Sequence, residues 1–191
     1  MEKTFPRDRL IIFGRYPVPG KTKTRLIPAL GPVGAANFQR RLTEKTFLSA
    51  TEFASRHNAT IECCFDGGTS QDMHRWLGYI PKLSFQQAGD LGQRMRCALF
   101  DALNDGNKRV ILLGTDIPGL NAKILEQAFA ALLKHDIVLG PSTDGGYWLV
   151  GLKRPIDLFR NIHWSTPMVL KQTLAQVRHM GLTVCLLEFL S

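Results

Sequence analysis

Apolar residues fall into two kinds of segment along this chain. Short runs rich in branched and aromatic side chains predict buried strands, and longer segments with apolar residues every three or four positions predict helices. The predicted strands cover residues 9–13, 60–65, 83–86, 110–113, 137–139, 147–151 and 183–187. The predicted helices cover residues 34–57 and 69–77 and begin after Asp90, Asn121 and Thr166. Because strands alternate with helices, we expect an α/β fold, a three-layer α/β/α sandwich with a mostly parallel central sheet.

Polar residues mark where several of these helices begin. Asp90 can accept a hydrogen bond from the first helical turn, and Gln93, three residues later, can return one. Asn121 is a second capping residue. Thr166 followed by proline predicts a capping hydroxyl and a proline at the first helical position.

The strand at residues 110–113 leads directly into a candidate site. It is followed by Gly114, Thr115 and Asp116, and Pro118 prevents the strand from continuing. Ligands bind at the carboxyl ends of the strands in open α/β sheets. We therefore expect Asp116 to hold a divalent cation, Mg²⁺ or Mn²⁺, against a diphosphate. The alternative is that Asp116 only caps a turn or the next helix.

A second acid, Asp144, lies in a glycine-rich turn after the strand at residues 137–139. Asp116 and Asp144 would lie on one rim of the sheet, where two carboxylates and a diphosphate complete the oxygen shell of Mg²⁺ or Mn²⁺. Gly145 and Gly146 would let a ligand approach the backbone closely. In the alternative interpretation, Asp144 starts a tight turn. For Asp66, which precedes two glycines, turn formation is the preferred interpretation.

The loop after the first strand is basic and rich in proline and glycine. Residues 14–22 nearly match the phosphate loop G-x-x-x-x-G-K-[ST], but Pro17 and Pro19 have no amide hydrogen for a phosphate. Instead we expect Lys21, Lys23 and Arg25 to form an electropositive lip, with Arg25 able to grip two phosphate oxygens. These three side chains share one face if the backbone alternates there. A solvated basic loop is the alternative.

His163 is a further candidate because it stands beside Trp164 and two hydroxyl residues, just before a helix. It could accept a proton from an incoming hydroxyl. In the alternative interpretation, His163 is simply packed and hydrogen-bonded.

Composition narrows the class of protein. The 191 residues are 45% hydrophobic and predict one domain over residues 1–191. No apolar run approaches the roughly 18 residues of a membrane span, so we expect a cytoplasmic protein. Lys and Arg outnumber Asp and Glu by 24 to 16, which favours an acidic partner, but no Lys/Arg run marks a nucleic-acid patch. The four cysteines lack C-x-x-C spacing and are expected to be buried thiols.

Five segments together resemble one protein family. They are residues 13–26 (FGRYPVPGKTKTRL), 89–95 (GDLGQRM), 113–118 (LGTDIP), 140–152 (GPSTDGGYWLVGL) and 164–166 (WST). In this order they resemble the DUF2064 family, bacterial proteins provisionally described as glycosyltransferases. The family belongs to the nucleotide-diphospho-sugar transferase (GT-A-like) superfamily, which includes molybdenum-cofactor and coenzyme F420 nucleotidyltransferases. The resemblance implies a nucleotide-binding first half and a divalent cation at Asp116.

The chain departs from this resemblance in two ways. Family members continue past the last strand into an acidic D-x-D-T-P-like segment, whereas this chain ends at Ser191. We therefore expect either a missing C-terminal segment or the loss of an acid that the family uses. Asp116 also follows Gly114 and Thr115, unlike the D-x-D pair of many glycosyltransferases, which favours nucleotidyl transfer relative to sugar transfer.

These features support a metal-dependent transferase that uses a nucleotide-diphosphate-linked donor, most simply a glycosyltransferase, with an acceptor that the sequence does not name. The alternatives are a nucleotidyltransferase that joins a nucleoside triphosphate to a phosphorylated small molecule, and a nucleotide-binding protein without catalysis. The expected catalytic residues are Asp116, Asp144 and His163, and the first two are the expected metal ligands. The expected nucleotide- and phosphate-binding residues are Gly14, Arg15, Gly20, Lys21, Lys23, Thr24, Arg25, Thr115, Gly145 and Gly146.

Overall fold

A seven-stranded sheet forms the centre of the protein in a computed structural model that describes residues 8–190. The strands are β1 (Asp8–Arg15), β2 (Ala59–Asp66), β3 (Lys82–Phe85), β4 (Arg109–Leu113), β5 (Ile137–Pro141), β6 (Tyr147–Leu152) and β7 (Val184–Leu186). Their order in the sheet is β3-β2-β1-β4-β6-β5-β7. β6 runs antiparallel to its neighbours β4 and β5, and the other pairs are parallel. The predicted mostly parallel sheet is confirmed.

Helices cover both faces of this sheet. They are α1 (Ile27–Arg56), α2 (Ser70–Leu77), α3 (Leu91–Asn104), α4 (Ala122–Lys134) and α5 (Val169–His179). Apolar side chains of α1, α2 and α4 pack on one face, and those of α3 and α5 pack on the other. The alternation of side chains along a strand explains this division. In β1, Leu10 and Ile12 face the first group of helices, and Ile11 faces the second. Three layers result, as predicted.

Two of the predicted helix starts are confirmed in detail. Asp90 accepts a hydrogen bond from the backbone of Gln93, and the Gln93 side chain accepts one from the backbone of Asp90. Asn121 accepts a hydrogen bond from the backbone of Ile124. These caps depend only on residues close in sequence, so the sequence pattern was sufficient to predict them.

Two helices begin elsewhere than predicted. α1 starts seven residues before Gly34, at Ile27, and changes direction at Gly31, where φ is 69°. α5 starts at Val169, two residues later than predicted, and the residue before it, Met168, makes no side-chain cap. The Thr166 hydroxyl accepts a hydrogen bond from the Met168 backbone at 3.3 Å and donates one to the His163 carbonyl at 2.7 Å. Thr166 therefore caps the turn that leads into the helix.

The side chains of the basic loop do not alternate between two faces as predicted. Lys23 has a φ of 51°, in the left-handed region, and residues Thr24–Leu26 form a single turn of 3-10 helix. Lys21 and Arg25 therefore do not share a strand-like face with Lys23. Thr22 is buried, and its hydroxyl accepts a hydrogen bond from the backbone of Val18 at 3.1 Å.

The four thiols are unpaired, and two of them are fully buried. Cys63 and Cys64 point to opposite faces of the sheet, as predicted for adjacent residues of a strand. Burial raises the pKa of Cys63 to about 12 and that of Cys64 to about 11. Cys97 and Cys185 are only half-buried. Within residues 8–190, no helix has the length and apolar character needed to cross a bilayer.

Candidate functional site

A cavity of about 440 Å³ opens at the carboxyl ends of β1 and β4. These two strands are parallel neighbours in the centre of the sheet, so the segments that follow them meet at one edge. Because β6 is antiparallel, its first residues lie at the same edge and complete the wall. The predicted site residues that line the cavity are Gly14, Arg15, Thr115, Asp116 and Asp144.

Asp116 lies in the loop after β4, at the mouth of this cavity. Its side chain is 54% exposed, and its Oδ2 atom accepts a hydrogen bond from Nζ of Lys23, whose side chain is 25% exposed. Segments that are more than ninety residues apart in sequence therefore meet here. The basic loop reaches the acid through Lys23.

The backbone next to Asp116 is held in place by hydrogen bonds from side chains of α1. Gln39 is 6% exposed, and its Nε2 atom donates to the Thr115 hydroxyl at 2.7 Å and to the Thr43 hydroxyl at 3.1 Å. Thr46 adds a contact of 3.5 Å from its hydroxyl to the Thr115 carbonyl. Buried polar groups need such partners because an unmade hydrogen bond costs about 1–3 kcal/mol. The contacts fix the direction in which Asp116 leaves the sheet.

Asp144 both shapes a turn and faces the cavity, so the two interpretations of this residue are compatible. Its Oδ1 atom accepts hydrogen bonds from the Ser142 hydroxyl at 2.5 Å and from the Gly146 backbone at 3.0 Å. These bonds lower the pKa of Asp144 and keep the carboxylate ionised at neutral pH. Gly145 has a φ of 84°, and a Cβ there would lie 2.2 Å from the Pro167 carbonyl oxygen. The turn therefore requires glycine at this position.

Arg15 and Asp66 form an ion pair on the wall of the cavity. Nε and Nη2 of Arg15 donate to Oδ2 of Asp66 at 3.0 and 2.6 Å. Asp66 thus contacts Arg15 and also precedes the turn at Gly67 and Gly68, both of which have a positive φ. β1 extends two residues beyond its predicted end, which places Arg15 in the strand opposite Asp66 of β2.

Other predicted residues do not line the cavity. Lys21, Thr24 and Arg25 are exposed on the loop, as is Gly20. Gly145 and Gly146 lie in the turn behind Asp144. The ring of His163 is held through its Nδ1 atom by the Gln172 side chain at 2.8 Å, near the start of α5. His163 is exposed, so this contact matches the hydrogen-bonded part of the alternative interpretation but not the packed part, and the proton-accepting role of His163 stays a prediction.

Several cavity residues had not been selected from the sequence. They are Gln39, Gln86, Arg94, Ser142, Tyr147 and Trp148. Four of these belong to motifs that carry the family resemblance, and among them Arg94 follows Gln93 in the segment GDLGQRM. The pattern of that segment predicts only the start of a helix. The repeated presence of polar residues in that segment is the signal that could have identified Arg94.

The carboxylate oxygens at the cavity suit a hard cation that also binds phosphate. Asp116 and Asp144 present side-chain oxygens to one cavity, and Mg²⁺ commonly uses one or two carboxylates together with substrate phosphates. Among residues 8–190, no group of three or more His, Cys, Asp or Glu side chains could hold a metal ion. The protein thus offers two carboxylates, and a cation there would need further oxygen ligands from a substrate.

Solved structures with the same architecture include proteins named as transferases or synthases. A Desulfovibrio desulfuricans G20 protein, itself only provisionally named a nucleotide-diphospho-sugar transferase, superposes with a TM-score of 0.83 and 32% identity, over 95% of this chain and 79% of that one. CMP:2-keto-3-deoxy-manno-octonic acid synthetase, in complex with CTP, gives a TM-score of 0.58 at 11% identity over 97% and 90% of the two chains. Mycobacterium tuberculosis glucosyl-3-phosphoglycerate synthase, in complex with Mn²⁺, UDP and glucosyl-3-phosphoglycerate, gives 0.52 at 9% identity over 95% and 69%. The fold is therefore of the nucleotide-diphospho-sugar transferase, GT-A type.

The sequence pattern of the DUF2064 family, described as an uncharacterized protein conserved in bacteria, matches residues 49–166. The chain belongs to this family. No curated protein matches the sequence. The predicted family, fold and enzyme class, a transferase, are confirmed.

Proposed function

We propose that this protein is a metal-dependent transferase that acts on a nucleotide-diphosphate-linked donor, most simply a nucleotide sugar. The observation that carries the proposal is the meeting of Lys23 with Asp116 at the mouth of a cavity that Asp144 also lines. A cationic loop and two carboxylates at the carboxyl edge of a parallel sheet are suited to a diphosphate and its cation. A cation bound there would neutralise charge that develops on the leaving diphosphate.

Some residues of the cavity would bind the cation and the donor, and others would keep these residues in position. Asp116 and Asp144 would hold the cation, and Mn²⁺ in the M. tuberculosis synthase complex supports a divalent ion in this fold. Lys23 would exchange its contact with Asp116 for a phosphate oxygen of the donor. Gln39 would keep the loop of Asp116 in position through its hydrogen bond to Thr115. An acceptor hydroxyl would then attack the sugar carbon while the nucleoside diphosphate leaves.

A nucleotidyltransferase is the second candidate. Its support is the single acid in the segment Gly114, Thr115 and Asp116, which lacks a D-x-D pair, together with the likeness to a synthetase solved with CTP. In this reaction an acceptor phosphate attacks the α-phosphorus of a nucleoside triphosphate, and pyrophosphate leaves. The same cavity and the same cation would serve both reactions.

Incubation with Mg²⁺ or Mn²⁺ and a panel of nucleotide sugars and nucleoside triphosphates separates the candidates. Release of free sugar or nucleoside diphosphate supports the first, and pyrophosphate exchange supports the second. Binding without turnover across the panel would instead favour the non-catalytic alternative and contradict both transferase proposals.

The metal assignment is tested by Asp116→Asn, which keeps the shape of the side chain and removes its charge. We expect this variant to lose metal-dependent nucleotide binding in calorimetric titration. Asp101→Asn removes the same charge from an exposed position on α3 outside the cavity and should bind as the wild type does. Unchanged binding by Asp116→Asn would show that the cation site is elsewhere.

A further inference from the structure

Arg94 is a charged cavity residue to which the proposed function gives no role. It lies in the first turns of α3, on the face of the sheet opposite α1, and its side chain lines the cavity. Asp116 and its anchor Gln39 belong to segments that approach the cavity from β4 and from α1. Arg94 therefore approaches the cavity from a separate layer of the fold.

The position of the Arg94 guanidinium is fixed by one amide side chain. Nη1 of Arg94 donates to Oε1 of Gln86 at 2.9 Å. Nε2 of Gln86 donates to the Gly14 carbonyl at 2.9 Å and to the Cys64 carbonyl at 3.3 Å. With both ends of its amide engaged, Gln86 positions Arg94 where β1 and β2 end. Such an arrangement holds a guanidinium in place before any ligand arrives.

The charge of Arg94 has no acidic partner among the side chains of residues 8–190. The other two cations at the cavity differ, because Arg15 pairs with Asp66 and Lys23 pairs with Asp116. The Nε atom of Arg94 is buried and makes no hydrogen bond with any described residue. A guanidinium stays charged at all physiological pH values, so burial cannot neutralise it by deprotonation.

We propose that Arg94 is a substrate-binding residue that takes an oxyanion, a phosphate or a carboxylate group, of one of the two substrates. Arginine offers parallel N–H donors that match two oxygens of such a group. The Gln86 contact engages only Nη1, and Nη2 makes no hydrogen bond with any described residue. This proposal deepens the proposed function, on which it rests for the role of the cavity. The oxyanion belongs either to the diphosphate of the donor or to an anionic acceptor.

The experiment measures oxyanion binding without any divalent cation, so that a wrong assignment of Asp116 cannot imitate a failure at Arg94. In one arm, pyrophosphate is titrated into the protein in the presence of a chelator. In the other arm, inorganic phosphate or acetate is titrated into protein saturated with pyrophosphate. Wild type is compared with Arg94→Gln and with Arg94→Met, which keeps an apolar stem if the amide is poorly tolerated. Arg41→Gln removes the same charge from an exposed position of α1 outside the cavity.

We expect the Arg94 variants to weaken binding by about 10- to 100-fold, the range for loss of a charge-assisted hydrogen bond, and Arg41→Gln to change it less than about twofold. Weakening in the pyrophosphate arm assigns the oxyanion to the donor, and weakening only in the second arm assigns it to the acceptor. The proposal is overturned if wild type binds none of these anions, if folded Arg94 variants bind them as wild type does, or if Arg41→Gln is equally impaired. It is also overturned if the variants lose affinity for an uncharged nucleoside but not for the anions, because the guanidinium would then contact the base.

Discussion

Replacing Lys23 with methionine is expected to change the affinities for cation and diphosphate in opposite directions. Lys23 donates to the Asp116 carboxylate, so it competes there with any cation that binds the same oxygen. The proposed donor phosphate would also need the Lys23 ammonium group. Lys23→Met removes the competitor from Asp116 and removes the partner of the phosphate.

The structure sets the size of each effect. The Lys23 and Asp116 side chains are 25% and 54% exposed, so solvent screening limits the pair to at most about 1 kcal/mol. Its removal should tighten Mn²⁺ binding by up to about fivefold. A hydrogen bond from an ammonium group to phosphate contributes about 1.5–3 kcal/mol, so pyrophosphate binding should weaken by roughly 10- to 100-fold.

Calorimetric titration measures both affinities on the same preparation. Mn²⁺ is titrated alone, and pyrophosphate is titrated in the presence of a chelator. Lys45→Met, which removes the same charge from an exposed position of α1, serves as the control. Equal weakening of both ligands would refute the competition, and unchanged pyrophosphate binding would refute the phosphate role of Lys23.

Two further predictions concern stability. Gly145→Ala should lower the free energy of unfolding by about 2–4 kcal/mol, because φ is positive there and the new Cβ would overlap the Pro167 carbonyl. Thermal melting compares this variant with Gly20→Ala, where φ is also positive but a Cβ would meet nothing within 4 Å. Equal losses of stability in the two variants would contradict the overlap argument. Hydrogen bonds from Thr183 lower the pKa of Asp136 to about 2 from an ordinary value of 3.8, so this carboxylate stabilises the fold above pH 3.8 and the contribution disappears as pH falls towards 2. In urea unfolding, Asp136→Asn should therefore be less stable than wild type near neutral pH, with the difference shrinking over that acidic range; a difference independent of pH would be inconsistent with this linkage.

The sheet and most helix positions were predictable because their signals are local. The apolar run at residues 110–113 and the capping residues Asp90 and Asn121 act through neighbours within a few positions. Such interactions are present in the sequence pattern itself. The antiparallel direction of β6 relative to β5 is also a local signal, because residues 142–146 are too few for a parallel crossover. The pairing of β6 with β4 joins strands that are distant in sequence, and the sequence pattern does not contain it.

The cavity residues that were predictable from the sequence are likewise those with local signals. Asp116 and Asp144 stand out because each follows a buried strand, and strand ends meet at one edge. Gln39 was not identified because its partner Thr115 is 76 residues away and only the packing of α1 on the sheet brings them together. The alternation expected around Lys23 failed because the left-handed backbone there reverses the direction of successive side chains.

Because β6 runs antiparallel to its neighbours, the two sides of the cavity are built from different parts of the chain. One side is built from β1, β2 and the residues after β3, and the other includes the hairpin that joins β5 to β6, where Asp144 lies. Hairpin tips accept insertions and deletions without disturbing the strands that they connect. Changes in the length of this hairpin would therefore alter the side of the cavity that carries Asp144 and leave the side built from β1 and β2 unaltered.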